Sequence, residues 1–334
     1  VVWDDNEQNN KLLGELRDAV ADGGRVLVFL GAGVSFGAAR AGSRMLFDRG
    51  RWVWEPLQKR TKKAPPGKGR DKEGPGGPPP RMRVVDYDDG QPMPSWKLLI
   101  SRMRRELAHV RAPHEQDELD QFFEDQDYLD CAELFRTLVG EPVYFDFLRR
   151  QYGDETRARP TPTHDALVAL GLPVVFTTNY DTLIERAHVE AAVPLLTSAD
   201  EKEFREHLAT RPSRSLVKLH GTIQRQHTVV LTRSDYARSR VDRREMFASL
   251  RGDLMKTSFL FLGFSLTDPN VNIILDDVRV VLDGAVPISY SVQAGRNWVK
   301  EQYLGSLGIR TVWLDSWNDM PAVLYRINPN VAAR

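Results

Sequence analysis

Asn179, Asp181 and His220 are the side chains of this sequence best suited to hydrolytic chemistry, and each stands just past a short apolar run. An asparagine amide can orient water or a hydroxyl at an electrophilic carbon. A carboxylate can order that amide, and a histidine of near-neutral pKa can accept the proton that attack releases. Asp181 could equally be a structural cap for the helix that follows. Of the seven histidines, only His220 follows a strand-like run and precedes glycine. His109, His114, His188, His207 and His227 sit in polar contexts and are expected to be solvated. His164 reads as a residue on a helix surface, or one that supports a site residue from behind.

Residues of this kind need rigid elements to hold them, and the chain supplies four strand-and-turn units. Arg25 to Ser35, RVLVFLGAGVS, reads as a buried parallel strand running into a small-residue turn. At the carboxyl end of a strand in a doubly wound α/β fold, such glycines let the backbone approach a pyrophosphate, so the turn predicts a dinucleotide site. Alone the signal is weak. Gly37 falls one position later than GxGxxG requires, with Phe36 in its place, which disfavours an ordinary dehydrogenase and leaves open a tight turn that binds nothing. Leu172 to Ala187 repeats the unit, placing Thr177, Thr178, Asn179 and Asp181 at a strand's carboxyl end. SLVKLHG, Ser215 to Gly221, brings His220 to the same edge. SFLFLGFSLTDP, Ser258 to Pro269, brings Gly263, Ser265 and Asp268, the last also suited to cap the helix Asn270 to Val281. The fold class that follows is α/β, a Rossmann-like doubly wound parallel sheet with helical insertions.

Between the first two units the composition changes. From Arg49 to Arg83 there are eleven Lys or Arg and three acids, and eleven of the seventeen residues Ala64 to Pro80 are Gly or Pro. Such a stretch is expected to be an exposed, mobile loop, either a solvated excursion or a surface for a partner or nucleic acid. It is delimited as an insertion over 44–93 within one domain spanning 1–334, followed by a mainly helical part over 94–170. Within that part, Glu115 to Glu133 holds nine acids and no Lys or Arg, and its apolar spacing predicts one acidic surface helix. A further helix begins at Thr163, which can cap it. Arg238 to Arg244 reads as a solvated helix face.

Composition narrows the functional classes. Lys plus Arg and Asp plus Glu are 46 each, so no overall field favours nucleic acid or an anionic membrane, although local patches keep direct nucleic-acid binding open. With 41% hydrophobic residues and a mean hydropathy of −0.41, the 334-residue chain reads as a globular protein with a full core. It has no apolar run of membrane-spanning length. The single cysteine, Cys131, is expected to pack in a helix. It excludes an intrachain disulfide framework and a four-cysteine zinc site, in keeping with a reducing, cytoplasmic setting.

Taken together and in this order, GAGVS, TTNYD, KLHG and GFSLTDP resemble the sirtuin family, and more closely its bacterial NAD-hydrolysing, defence-associated branch than its protein deacylases. The resemblance runs from about Arg25 to Leu314 with the insertion set aside. Ala41-Gly42 joined to MPSWKLLI looks like that branch's Gly-x-Pro-Ser-Trp stretch. It implies that NAD's phosphates lie on Gly31, Ala32, Gly33 and Ser35, and that Asn179 and Asp181, beside Thr178, serve the nicotinamide ribose. It also implies that His220 is the catalytic histidine and that Gly263 and Ser265, with Asp268 nearby, flank the adenosine. The deacylases' zinc ribbon of two Cys-x-x-Cys pairs has no counterpart here, so no metal is expected. The expected activity is NAD+ glycohydrolysis to nicotinamide and ADP-ribose, depleting NAD in antiphage defence. A non-catalytic NAD or ADP-ribose sensor is the alternative, and a deacylase or nuclease module a weaker one. NAD aside, the partners the resemblance implies are further copies of the chain, a HerA-type ATPase or a short Argonaute, with no membrane.

Overall fold

Every residue of the Val26–Leu30 strand, β1, is buried, and alternate residues face two different cores, as a parallel strand covered on both faces requires. A computed structural model describes residues 3–22, 26–35, 38, 43–48, 51–56, 93–110, 113–153, 158–210 and 212–329. Two strands, β2 (Ser43–Asp48) and β3 (Arg51–Pro56), form an antiparallel pair of their own. The remaining strands, β4 (Val174–Thr177), β5 (Leu196–Ser198), β6 (Ser215–Lys218), β7 (Ser258–Leu262), β8 (Ser289–Ala294) and β9 (Ile309–Leu314), join β1 in a parallel sheet. The seven-stranded order is β5-β6-β4-β1-β7-β8-β9. With the short edge strand β5 set aside, this is the order of a doubly wound dinucleotide fold, and it reverses between β1 and β7. Register aligns Leu30 with Thr177 on one side and Leu262 on the other, so three strand tips end side by side.

The helices are α1 (Glu7–Ala21), α2 (Trp96–Val110), α3 (Pro113–Asp125), α4 (Tyr128–Val139), α5 (Glu141–Tyr152), α6 (Pro162–Leu170) and α7 (Leu183–Glu190), then α8 (Glu201–Thr210), α9 (Arg233–Asp242), α10 (Arg244–Leu254), α11 (Pro269–Val281), α12 (Trp298–Ser306) and α13 (Met320–Ile327). Helices α1, α6, α7 and α13 pack on the face that carries Val26, Val28 and Leu30. On the opposite face α8, α10, α11 and α12 pack against Leu27 and Phe29. Helices α2 to α5 form a third cluster with Tyr180, Ile223, Val229 and Leu231, residues that follow the tips of β4 and β6. This helical layer therefore sits against the carboxyl edge.

Three local expectations change. The acidic stretch forms two helices, because Asp127 takes the N-cap position of α4 and accepts hydrogen bonds from the Leu129 and Asp130 amides at 2.9 and 3.0 Å. Residues 51–56, inside the span read as a mobile loop, are strand β3; the Gly- and Pro-rich stretch over 57–92 lies outside the described residues. The cap of α6 is Thr161 instead of Thr163.

That cap also relocates His164. The residue is buried, and the Thr161 amide donates to its Nδ1 at 3.1 Å, so the ring completes the capping box. Burial pulls its pKa down to about 4, opposed by the Asp181 carboxylate. An unfolded chain with an ordinary histidine takes up a proton that the folded one refuses. His164 therefore contributes stability in full above pH ~6.5 and loses it as pH falls toward ~4, by about 3 kcal/mol at most. Urea midpoints measured at pH 7 and 5 should converge in His164→Gln, which keeps the capping acceptor and does not titrate. An unchanged pH dependence would rule the effect out.

Candidate functional site at the carboxyl edge of the sheet

The tips of β1 and β7 meet main chain to main chain. Gly31 N–H donates to Leu262 O and Gly33 N–H to Gly263 O, both at 2.9 Å. A Cβ on Gly31 would stand 2.5 Å from Phe264 Cα, and one on Gly33 2.6 Å from Gly263 Cα. Gly263, at φ +59°, allows no side chain either, since a Cβ there would lie 2.5 Å from Val34 N. Packing of the two tips thus accounts for these glycines, and the Gly31 and Gly33 amides already have protein acceptors. Exposed Ala32 and buried Ser35 complete the turn. Past Gly263, Phe264 packs its ring on Phe29 at 4.5 Å, and Leu266 holds the left-handed φ of +60°. Ser265 and Thr267 are exposed, with their hydroxyls 2.7 Å apart.

On the β4 tip, the Thr177 hydroxyl donates to Leu30 O and accepts from the Asn179 amide, each at 3.0 Å. Asn179 is half-buried, and its Nδ2 donates to Gly31 O at 3.2 Å. Its orientation is therefore set by Thr177 and the β1 turn, not by the Asp181 carboxylate. Asp181, 6% exposed, instead accepts from Ser35 Oγ and from the Leu183 amide, each at 3.0 Å. It takes up the first amide of α7, whose N-cap position is Thr182, and ties two tips together. Thr178, on the same tip as Asn179, is half-buried. The buried Lys218 ammonium crosses from β6 to the Asp181 carbonyl and to Glu185 Oε1, the latter at 2.8 Å, fastening the Asn179 tip to the strand that carries His220.

His220 follows β6 on a turn that only glycine can complete. Gly221 has φ +76°, and a Cβ there would overlap the Thr228 carbonyl oxygen. Arg243, expected on a solvated face, is 5% exposed, and its guanidinium donates to the carbonyls of Leu219 and Thr228, clamping the turn from both sides. Burial lowers its pKa to about 10, which leaves it cationic at neutral pH. His220 is 1% exposed, with the Tyr180 ring stacked at 6.3 Å and the Tyr236 ring edge-on at 4.9 Å. Its Nε2 has no hydrogen-bond partner, though it lies 3.4 Å from Asp268 Oδ2, within ion-pair range. That oxygen accepts from the Tyr236 hydroxyl at 2.8 Å, while Oδ1 accepts from the Val271 amide at 3.0 Å and caps α11. Burial pushes the His220 pKa below the ordinary value against the opposing pull of Asp268, with Arg243 adding to the depression. The ring is consequently neutral at pH 7 and able to act as a base.

The structure thus gathers Ser35, Asn179, Asp181, His220, Gly263 and Asp268 at one edge. Arg243, Tyr180, Tyr236 and Lys218 also belong there, and no local signal in the sequence marks them, because their roles arise from contacts with distant segments. Among the other histidines, His188 is buried with Nδ1 2.9 Å from Ile184 O, His207 lies 2.7 Å from Ser198 Oγ, and only His227 is seen exposed. The side chains of His109 and His114 lie outside the described residues. Cys131 is fully buried, and desolvation raises its thiol pKa to about 11, as an inert core cysteine requires.

Residues 173–312, which supply three of the four tips, match the model of the SIR2-like domain. The chain carries a SIR2-like domain. A protein from Acinetobacter baumannii (strain 532279) named NAD(+) hydrolase ThsA is 32% identical over 189 residues, covering 50% of this chain and 38% of the relative. One of the same name from Enterococcus faecium is 35% identical over 187 residues, covering 54% and 38%. Defense-associated sirtuin 2 of Bacillus subtilis is 27% identical over 195 residues, covering 56% of this chain and 18% of that protein. The resemblance to the defence-associated sirtuin-like branch is borne out. The chain spans well under half the length of these curated relatives. Among the described residues, no helix is long and apolar enough to cross a membrane.

Proposed function

We propose that this chain is an NAD+ glycohydrolase that releases nicotinamide and ADP-ribose. The observation that carries the reading is the pairing of an oriented Asn179 with a neutral, buried His220 on adjacent strand tips, at the edge where the strand order reverses. The nicotinamide–ribose bond has an activated leaving group, a pyridinium that departs neutral, so the site need only hold the ribose and favour an oxocarbenium-like centre. Asn179 would orient water or the ribose, and His220 would accept the proton. Ala32 and Ser35 are assigned to the phosphates, Asp181 and Thr178 to the framework of the ribose subsite, and Ser265 to the adenosine side. The names of the relatives, NAD(+) hydrolase and defence-associated sirtuin, support a role in depleting NAD during antiphage defence. An unrestrained hydrolase of a shared cofactor would injure its own cell, so we further propose control by self-association or a partner chain.

Chromatography of NAD incubated with the full chain should show nicotinamide and ADP-ribose appearing in equal amounts. NAD that is bound but recovered intact, with the chain alone and in its assembled form, would replace this reading with that of a nucleotide sensor.

A further inference from the structure

We propose that Asp268 is the positioning residue of His220: its carboxylate, pinned by the Tyr236 hydroxyl and the Val271 amide, holds the proton on Nε2 and leaves Nδ1 as the basic nitrogen. The pairing is inferred from geometry, and its kinetic consequences rest on the glycohydrolase reading. Nε2 is buried without a hydrogen-bond partner and faces Asp268 Oδ2 at 3.4 Å. Two donors fix the carboxylate, at 2.8 Å on Oδ2 and 3.0 Å on Oδ1, and an ionised oxygen can accept a second hydrogen bond. Contacts of this length commonly tighten when substrate binds.

The groups around the ring make Asp268 the only candidate for this task among the described residues. Arg243 is a cation that clamps the turn's carbonyls, and Lys218, two residues earlier, is turned to Asp181 and Glu185. Tyr180 and Tyr236, packed on the imidazole, are neutral because burial drives both phenols well above their ordinary pKa. In the reaction, a water oxygen bonds to ribose C1′ and gives its proton to Nδ1. The C1′–nitrogen bond breaks with its electron pair on neutral nicotinamide, and Asp268 balances the imidazolium that forms. This is the orienting role a carboxylate plays toward a catalytic histidine in a hydrolytic triad.

Asp268 also caps α11, so the test must separate charge from cap. Asp268→Asn does this, since asparagine caps a helix as well as aspartate. The readout is the pKa of His220 in the full chain by NMR with labelled histidine, its resonances assigned by their loss in His220→Ala. Asp268→Asn should lower that pKa by about one unit or more, since the opposing anion is gone. Tyr236→Phe should raise it, because Oδ2 loses its competing donor. In turnover, Asp268→Asn should reduce kcat by about tenfold or more with a smaller change in KM, and the acid limb of the kcat profile should shift with the pKa. An unchanged His220 pKa in folded Asp268→Asn overturns the proposal, as does a kcat that falls with its acid limb in place. Should Asp268→Asn fail to fold, Tyr236→Phe decides, a raised pKa supporting the proposal and an unchanged one refuting it. Should the parent leave NAD uncleaved, the glycohydrolase reading fails alone, and the NMR titrations still decide the pairing.

Discussion

His220→Ala should cut nicotinamide release by about 10²- to 10⁴-fold, the usual range for removing a positioned general base. Burial keeps the ring neutral and able to accept a proton, whereas the neutral Tyr180 and Tyr236 phenols beside it and the Asn179 amide cannot serve as bases at pH 7. NAD affinity, read by calorimetry, should change far less than turnover, since the phosphate and adenosine contacts proposed above lie on the tips of β1 and β7. The substitution leaves a gap between Tyr180 and Tyr236, so a thermal melt must accompany the assay. Nicotinamide release by a folded His220→Ala within a few-fold of the parent would remove His220 from the mechanism.

Gly221→Ala should be the most damaging single substitution for stability near the site. The alanine would have to adopt φ +76°, at about 1–2 kcal/mol, while its methyl overlaps the Thr228 carbonyl oxygen, at about 1–3 kcal/mol more. That oxygen also receives the Arg243 guanidinium, so the backbone cannot yield without uncovering a buried cation. Against a typical total of about 5–15 kcal/mol, the loss is large. Gly284→Ala is the control, because Gly284 has φ +77° with nothing within 4 Å of the added methyl. Urea midpoints should show Gly284→Ala losing only the conformational part and Gly221→Ala about twice as much or more. Equal losses would mean that the Thr228 contact carries no weight.

The repeated pattern of apolar strand, polar tip and helix was legible in the sequence because it is local. Strand residues Val26 to Leu30 are apolar throughout, and glycine or a short polar residue ends β1, β4 and β7 at the edge. The same locality let Asn179, His220 and Asp268 be singled out. Burial of polar residues was not legible, because it depends on remote partners. His164 is buried by completing a cap, His188 by bonding back to Ile184, and Arg243 by reaching three carbonyl-bearing residues, Lys218, Leu219 and Thr228, from the far side of a turn. A sequence window around Arg243, with Arg240 and Arg244 beside it, looks like solvent-facing charge. Asp181 illustrates the converse error. Its place two residues after Asn179 suggested that it orders the amide, whereas Ser35, 146 residues away, claims the carboxylate.

The seam of Gly31, Gly33 and Gly263 joins β1 to β7 with amide–carbonyl bonds and no side chain between them. Such a joint has no rotamer to change and behaves as a weld. The opposite flank is laced by side chains: Asn179 to Gly31, Ser35 to Asp181, Lys218 to Glu185, and Arg136 of the helical layer to Asp235 beside Tyr236. Laces can lengthen and rotate where welds cannot. The edge is therefore a fixed jaw on the β7 side and a compliant one on the side of β4, β6 and the helical layer, so the compliant jaw is the one that must yield when a molecule enters or leaves.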